Sequence, residues 1–215
     1  MRVLLVDHGC CDPPDTRVHA CRTALTRLGA VPLALGPSSV SSLAAETPGL
    51  RGVHLRDIAA ANKRFLRAVQ DGSPAAFLAA SAAISPSLLG LVRETARQTI
   101  AEAVDAFEPD VIFVLHAGIL VDLAIETGVP VALHVSGADL GAAATSERIR
   151  DLVISALSSV EALIATDGET ADVLARDWLD RDETDQLPAC EVWPVGAASA
   201  PAILAACERA RDRRR

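Results

Sequence analysis

Three of the chain's five histidines, His8, His116 and His134, stand at the ends of short runs rich in Val, Leu, Ile and Ala. An imidazole can hydrogen-bond a ligand hydroxyl or move a proton near neutral pH. His134 opens the segment His134-Val135-Ser136-Gly137-Ala138-Asp139, which adds a hydroxyl and a carboxylate. Thr166-Asp167-Gly168-Glu169 offers a similar set after another apolar run. A histidine in such a place also serves as a hydrogen-bonded turn residue, so the pattern names candidates and no more. His8, Cys10, Cys11, His19 and Cys21 are ligand types for zinc. Structural zinc sites pair their ligands in two motifs, which is not the arrangement here. Cys21 shares a helical face with Val18 and Leu25, where a thiol is ordinary core. No metal is expected. G-x-G-x-x-G, G-x-x-x-x-G-K-[ST] and G-x-S-x-G are all absent, which disfavours dinucleotide, P-loop and nucleophile-elbow chemistry.

The elements that would position these residues alternate between strand and helix. Arg2–Val6 reads as a buried first strand ending at Asp7. A loop carrying Gly9, Pro13 and Pro14 follows, and Asp15 or Thr16 can cap the next helix. Val18, Cys21, Leu25 and Leu28 give that helix its apolar face, and Gly29 stops it. Val31–Leu35 is a second strand closed by Gly36-Pro37. Residues 38–52 are weakly structured, Val53–Leu55 is a brief third strand, and Asp57–Val69 is a polar amphipathic helix broken at Asp71-Gly72-Ser73-Pro74. From Ser85 to Phe107, Leu89, Val92, Ala96, Ile100, Ala103 and Phe107 recur at helical spacing. Val111–Leu115 is unbroken and apolar, as in a parallel strand covered on both faces. Ala117–Thr127 is a short helix, Val129–His134 a strand, Glu147–Leu157 a helix and Ala162–Ala165 a strand. A helix runs from Asp167 to about Trp178. After a polar loop, Asp180–Gln186, come a short strand over Glu191–Trp193 and a last helix over Pro201–Arg211. This order predicts a Rossmann-like α/β fold: a doubly wound, mostly parallel sheet with helices on both faces. The expected organisation is one domain over residues 1–200 and a C-terminal helix with a basic tail over 201–215. In such sheets ligands bind at the carboxyl ends of the strands, where the three histidines fall.

Composition narrows the function. Half of the 215 residues are apolar, 3% are aromatic, and net charge is −8. An acidic domain repels phosphate backbones, so no nucleic acid partner is expected. The Arg-rich end (Arg209, Arg211, Arg213, Arg214, Arg215) reads as a solvated helix end that suits the helix dipole. Five cysteines (Cys10, Cys11, Cys21, Cys190, Cys207) are an odd number without a disulfide framework and fit a reducing compartment. No stretch is long and apolar enough for a transmembrane segment, and the N-terminus reads as a strand, not a signal peptide. The expected location is cytoplasmic.

Five segments, taken in order, resemble one known family. Asp15-Thr16-Arg17-Val18 with Ala20, Leu25 and Leu28-Gly29 resembles an opening D-x-R-V helix. Glu108-Pro109-Asp110-Val111-Ile112, with His116 beyond it, resembles a "PDVIHxH" strand. Gly128-Val129-Pro130-Val131, His134 and Gly137-Ala138-Asp139 resemble "G-x-P-x-V-x-x-x-H-x-x-D". Ala162-Leu163-Ile164-Ala165 and Glu169 resemble "D-x-V-I-x-x-S-E", and Val192-Trp193-Pro194-Val195-Gly196 resembles "V-I-P-N-G-V-D". The family is that of family-four-type GT-B glycosyltransferases, and the likeness is to its N-terminal, acceptor-side domain.

The resemblance implies an acceptor-binding half of a nucleotide-sugar-dependent enzyme of hexosyltransferase type. It implies a donor-binding domain in cis or trans, without which no transfer is expected. The implied ligands are a sugar acceptor and a nucleotide-sugar donor, with no covalently bound cofactor. By position, His134 is the implied catalytic residue. His116, Asp139 and Ser136 line the acceptor side, and Asp15, Thr16 and Arg17 lie on the donor-facing loop. Where the family has glycines this chain has Asp12-Pro13-Pro14-Asp15, whose carboxylates oppose a diphosphate. A second reading is therefore a non-catalytic GT-B-like module that binds a sugar, a nucleotide or a protein.

Overall fold

The computed structural model describes residues 1–9, 16–38, 49–60, 62–71, 73–179, 190–192 and 200–214. Strand β1 (Arg2–Val6) leads to helix α1 (Thr16–Arg27), β2 (Val31–Ser38) and β3 (Leu50–His54). Four helices follow: α2 (Arg56–Ala59), α3 (Lys63–Asp71), α4 (Pro74–Ala83) and the long α5 (Pro86–Phe107). Then come β4 (Val111–Val114), α6 (Val121–Glu126), β5 (Val131–Val135), α7 (Gly137–Ala144) and α8 (Glu147–Leu157). β6 (Ala162–Ala165) and α9 (Gly168–Val173) follow, with a wider π turn over Leu174–Trp178. β7 (Cys190–Val192) and α10 (Ala200–Arg213) complete the described chain.

The strands form one sheet in the order β3-β2-β1-β4-β5-β6-β7. Every pair is parallel. Side chains alternate across it, as a strand's period of two requires. Leu4, Val6, Ile112, Val114, Leu133 and Val135 face the core under α2 to α9. Val3, Leu5, Phe113 and Ala132 face a smaller core under α1 and α10. This is the doubly wound, all-apolar strand pattern of a parallel sheet covered on both faces. Chain order reverses between β1 and β4, which places the topological switch point at their carboxyl ends.

Several sequence expectations are corrected. β2 does not stop at Gly36-Pro37 but runs to Ser38, with Pro37 opposite Val53. The Leu35 carbonyl accepts from Asp7 N–H, and the Ser38 carbonyl from Leu55 N–H. Alternation therefore turns Pro37 toward β1, beyond the end of that strand, where a missing N–H breaks no ladder bond. Leu28 is 44% exposed instead of buried, because α1 ends at Arg27 and Gly29, at φ 83°, turns the chain away. The single helix expected over 57–69 is two, since the Asn62 Oδ1 accepts from Arg64 and Phe65 N–H at 3.1 Å each and starts α3 afresh. The helix expected from Ala117 begins at Val121. α4 and α7 were not expected. The stretches 39–48 and 180–189, Trp193, and the closing Pro194-Val195-Gly196 lie outside the described residues.

α10 packs on β4, β5, β6 and α1 through Ile203, Ala206, Cys207 and Ala210. Burial pushes the Cys207 thiol well above its ordinary range. At the helix end Arg213 and Arg214 are exposed. They donate to the carbonyls of Glu161 and Gly128. Among the described residues no helix is long and apolar enough to cross a membrane.

Candidate functional site

The carboxyl ends of β1, β4 and β5 carry a row of imidazoles. His8, His116 and His134 are 0%, 4% and 1% exposed. Ring centroids lie 6.3 Å apart between His8 and His116, and 6.4 Å between His116 and His134. Two buried carboxylates join them, Asp7 at 4% exposure and Asp139 at 1%.

Each member is held differently. Leu120 N–H donates to His8 Nε2 at 3.3 Å, which leaves the ring hydrogen on Nδ1, buried and without a partner. A Cβ on Gly118 would stand 2.7 Å from His8 Nε2 and collide with Leu78. The 117–120 turn can fold over the ring only because that residue is glycine. Burial, helped by the nearby His116, drives the His8 pKa down to about 3 against a pull upward from Asp139. His8 is therefore a neutral imidazole.

His116 Nδ1 donates to Asp139 Oδ1 at 3.0 Å. Its Nε2 is buried without a hydrogen bond, and Asp7 Oδ1 stands 3.4 Å away. Asp7 Oδ1 also accepts from Gly9 N–H at 3.0 Å. His134 is fully engaged. Its Nδ1 donates to the Leu115 carbonyl at 2.9 Å, and its Nε2 lies 3.1 Å from the Thr166 hydroxyl.

Asp139 is fixed by the local sequence. Ser136 caps α7, accepting from Asp139 N–H, while Asp139 Oδ2 accepts from Ser136 N–H at 3.0 Å, a reciprocal capping box. Burial alone would raise the Asp139 carboxyl. The His116 hydrogen bond and charge, with the bonds from Ser136, outweigh it, and the net displacement is downward. Asp139 is thus ionised at neutral pH, with one oxygen on the helix cap and the other on His116.

Beside this row, between α7 and α9, lies a cavity of about 660 Å³. Ser136, Thr166 and Thr170 give it hydroxyls, Asp167 and Glu169 carboxylates, and Leu140, Val173 and Trp178 an apolar wall. Among the described residues, no Lys, Arg or His lines it.

The fold brings four expected residues, His116, His134, Ser136 and Asp139, into one connected group. On the donor-facing loop, Asp15 lies outside the described residues, and Thr16 and Arg17 open α1. Cys10 and Cys11 also lie outside, and His19 is exposed on α1. Among the described residues no three His, Cys, Asp or Glu side chains are grouped to hold a metal ion. Sequence reasoning passed over Asp7, taking it as the polar stop of β1. Its signal was a carboxylate beside His8 at the end of a strand that the topology places centrally.

No protein-family model matches the chain, and no curated protein does. Solved structures match in fold. Sucrose-phosphate synthase from Thermosynechococcus elongatus superposes with a TM-score of 0.54 at 11% identity, over 100% of each chain. UDP-GlcNAc 2-epimerase from Neisseria meningitidis bound to UDP-GlcNAc gives 0.43 at 14% identity, over 89% of this chain and 46% of its own. TcCGT1 in complex with UDP gives 0.46 at 11% identity, over 92% and 51% respectively. At such identities the likeness is one of fold. The chain has the Rossmann-like α/β architecture of one half of a GT-B glycosyltransferase.

Proposed function

We infer that this chain is the acceptor-binding half of a nucleotide-sugar-dependent glycosyltransferase of hexosyltransferase type, with the donor bound by a further domain in cis or trans. The cavity between α7 and α9 carries the inference. Its described lining offers hydroxyls and carboxylates to a polyhydroxylated ligand and an apolar wall to its C–H face, and among the described residues no cation to a diphosphate. In this reading Ser136, His116 and Asp139 frame the acceptor side. His134, under Thr166, stands beside the transferred sugar and reaches it when Thr166 yields Nε2. The 15–17 segment, with Asp15, Thr16 and Arg17, faces the donor.

The first test is ligand-observed NMR on the chain with a methyl hexoside and with uridine diphosphate. The hexoside is expected to bind and the diphosphate not. Gly141→Leu fills the cavity from α7, where a Cβ meets nothing within 4 Å, and is expected to abolish hexoside binding while the fold survives. Diphosphate binding that Gly141→Leu abolishes would mark a donor half instead.

One observation favours the second reading, a non-catalytic sugar, nucleotide or protein-binding module. Ser136, Asp139 and His134 all spend their polar atoms on internal bonds. Transfer of sugar on supplying a donor-binding domain excludes that reading.

A further inference from the structure

The segment Thr166-Asp167-Gly168-Glu169-Thr170 caps α9 and also supplies four of the residues that line the cavity. Asp167 is the cap, its Oδ1 accepting from Thr170 N–H at 2.7 Å. That bond, with the Thr170 hydroxyl, holds the Asp167 carboxyl below its usual range. Glu169 is exposed, and among the described residues its carboxylate has no hydrogen-bond or ion-pair partner. On the α7 side, Asp139 stands in the first helical turn. A helix N-terminus ordinarily draws an anion. Both N-termini here carry carboxylates of their own, so that attraction is already met from within the chain. Two arginines beside the Trp178 wall are engaged elsewhere. Arg150 lies over the Trp178 ring and donates to the Asp177 carbonyl, and Arg176 pairs with Asp177. Neither lines the cavity. Asp167 and Glu169 thus face it without a described cation, in a chain whose net charge is −8.

We propose that the cavity between α7 and α9 selects an acceptor sugar bearing a protonated amine, with Glu169 and Asp167 as the residues that set this specificity. The proposal rests on the acceptor-half reading above and names the class of acceptor within it. An ammonium group has three donors and no acceptor, so carboxylates match it better than hydroxyls do. Asp167 is already oriented by its cap bond, and a hydrogen bond to it therefore costs little further ordering. The Ser136 and Thr166 hydroxyls remain for the sugar's own hydroxyls, and Leu140, Val173 and Trp178 for its C–H face. The same two carboxylates repel a uronate or a phosphorylated sugar. Selection thus works by rejection as well as by attraction.

Ligand-observed NMR titrations of the chain test this. The probes are methyl glucoside, methyl glucuronide and two amino sugars (methyl glucosaminide and the isomer with its amine on the exocyclic carbon). At least one amine is expected to bind about fivefold tighter than methyl glucoside, the upper worth of an exposed ion pair, and the glucuronide more weakly than methyl glucoside. N-acetylation of the amine, or high salt, is expected to erase the gain. Glu169→Gln is expected to lose most of the gain and to leave the affinity for methyl glucoside unchanged. Asp167→Asn, which keeps an acceptor for Thr170 N–H, is expected to remove the rest. Gly141→Leu, which fills the cavity, is expected to abolish binding of amine and glucoside alike. Equal affinity for amine and glucoside overturns the selection and leaves the acceptor reading standing. A gain that survives both carboxylate substitutions together, or that persists in Gly141→Leu and so lies elsewhere on an acidic surface, overturns it as well. If none of the sugars binds, the acceptor reading falls and the selection with it. If the amine preference holds but the chain assembled with a donor-binding domain transfers no sugar, the selection stands and only the transferase reading falls.

Discussion

His8 shows what burial does to a single titratable side chain. An ordinary imidazole has a pKa near 6.5, and in the fold burial has taken this one to about 3. Between those values the unfolded chain binds a proton that the folded chain refuses. Stability from this residue is therefore complete above pH 6.5 and falls as the pH drops toward 3, by about 1.4 kcal/mol per pH unit. Asp139 loses its contribution in the same direction but only below the ordinary carboxylate range. Urea unfolding is expected to show lower stability at pH 4.5 than at pH 6.5, with His8 contributing to the difference. His8→Gln, which keeps an acceptor for Leu120 N–H, is expected to flatten it; an unchanged slope in that variant would place the titration elsewhere. The positions of His8, His116 and His134 were legible in the sequence, because each stands at the end of an apolar run that reads as a strand. Their partners were not. His116 and Asp139 are 23 residues apart, and nothing local to either one states that β4 and α7 meet.

At the scale of elements, the strands were the most legible feature, since unbroken Val, Leu and Ile runs such as Val111–Val114 have one stable place in an α/β domain. The two unexpected helices were hidden for opposite reasons. α4, Pro-Ala-Ala-Phe-Leu-Ala-Ala-Ser-Ala-Ala, is so uniformly apolar that it has almost no periodic face. α7 opens with Ser136-Gly137-Ala138-Asp139, a capping-box spacing that sequence reading took as ligand chemistry. The structure gives those atoms a structural task, whatever they do for a ligand. Ser136→Ala removes the acceptor for Asp139 N–H and is expected to cost about 1 kcal/mol, the ordinary worth of an N-cap. Ser85→Ala, which removes the matching cap of α5, provides the comparison. If Ser136→Ala left the unfolding midpoint unchanged while Ser85→Ala lowered it, the cap would not be what holds α7 in place. Gly118 belongs to this scale too. Its spacing from His116 says nothing about Leu78 or His8, yet those two side chains leave no room for a Cβ.

For the whole molecule the unequal covering of the two sheet faces matters most. Eight helices lie over the larger core, whereas among the described residues only α1 and α10 cover the other face. The sequence suggested a domain closing near residue 200 with a helix and basic tail beyond it. Ile203, Ala206, Cys207 and Ala210 are each 0–1% exposed, against a core that includes Val3, Leu5, Phe113 and Ile164. A chain ending at residue 199 would bare the sheet face over β4, β5 and β6. Losing one fully buried Ile costs about 2–3 kcal/mol by area alone, and the smaller side chains and newly wetted strands add to it. A domain whose total stability is about 5–15 kcal/mol has little left after that loss. The truncated chain is expected to unfold at markedly lower urea or to aggregate through the exposed face, while a chain lacking only residues 213–215 keeps its transition, because Arg213 and Arg214 touch surface carbonyls alone apart from one ion pair with Glu161. A truncation at 199 with an unchanged unfolding midpoint would mean that α10 is an appendage and that α1 by itself closes the second face.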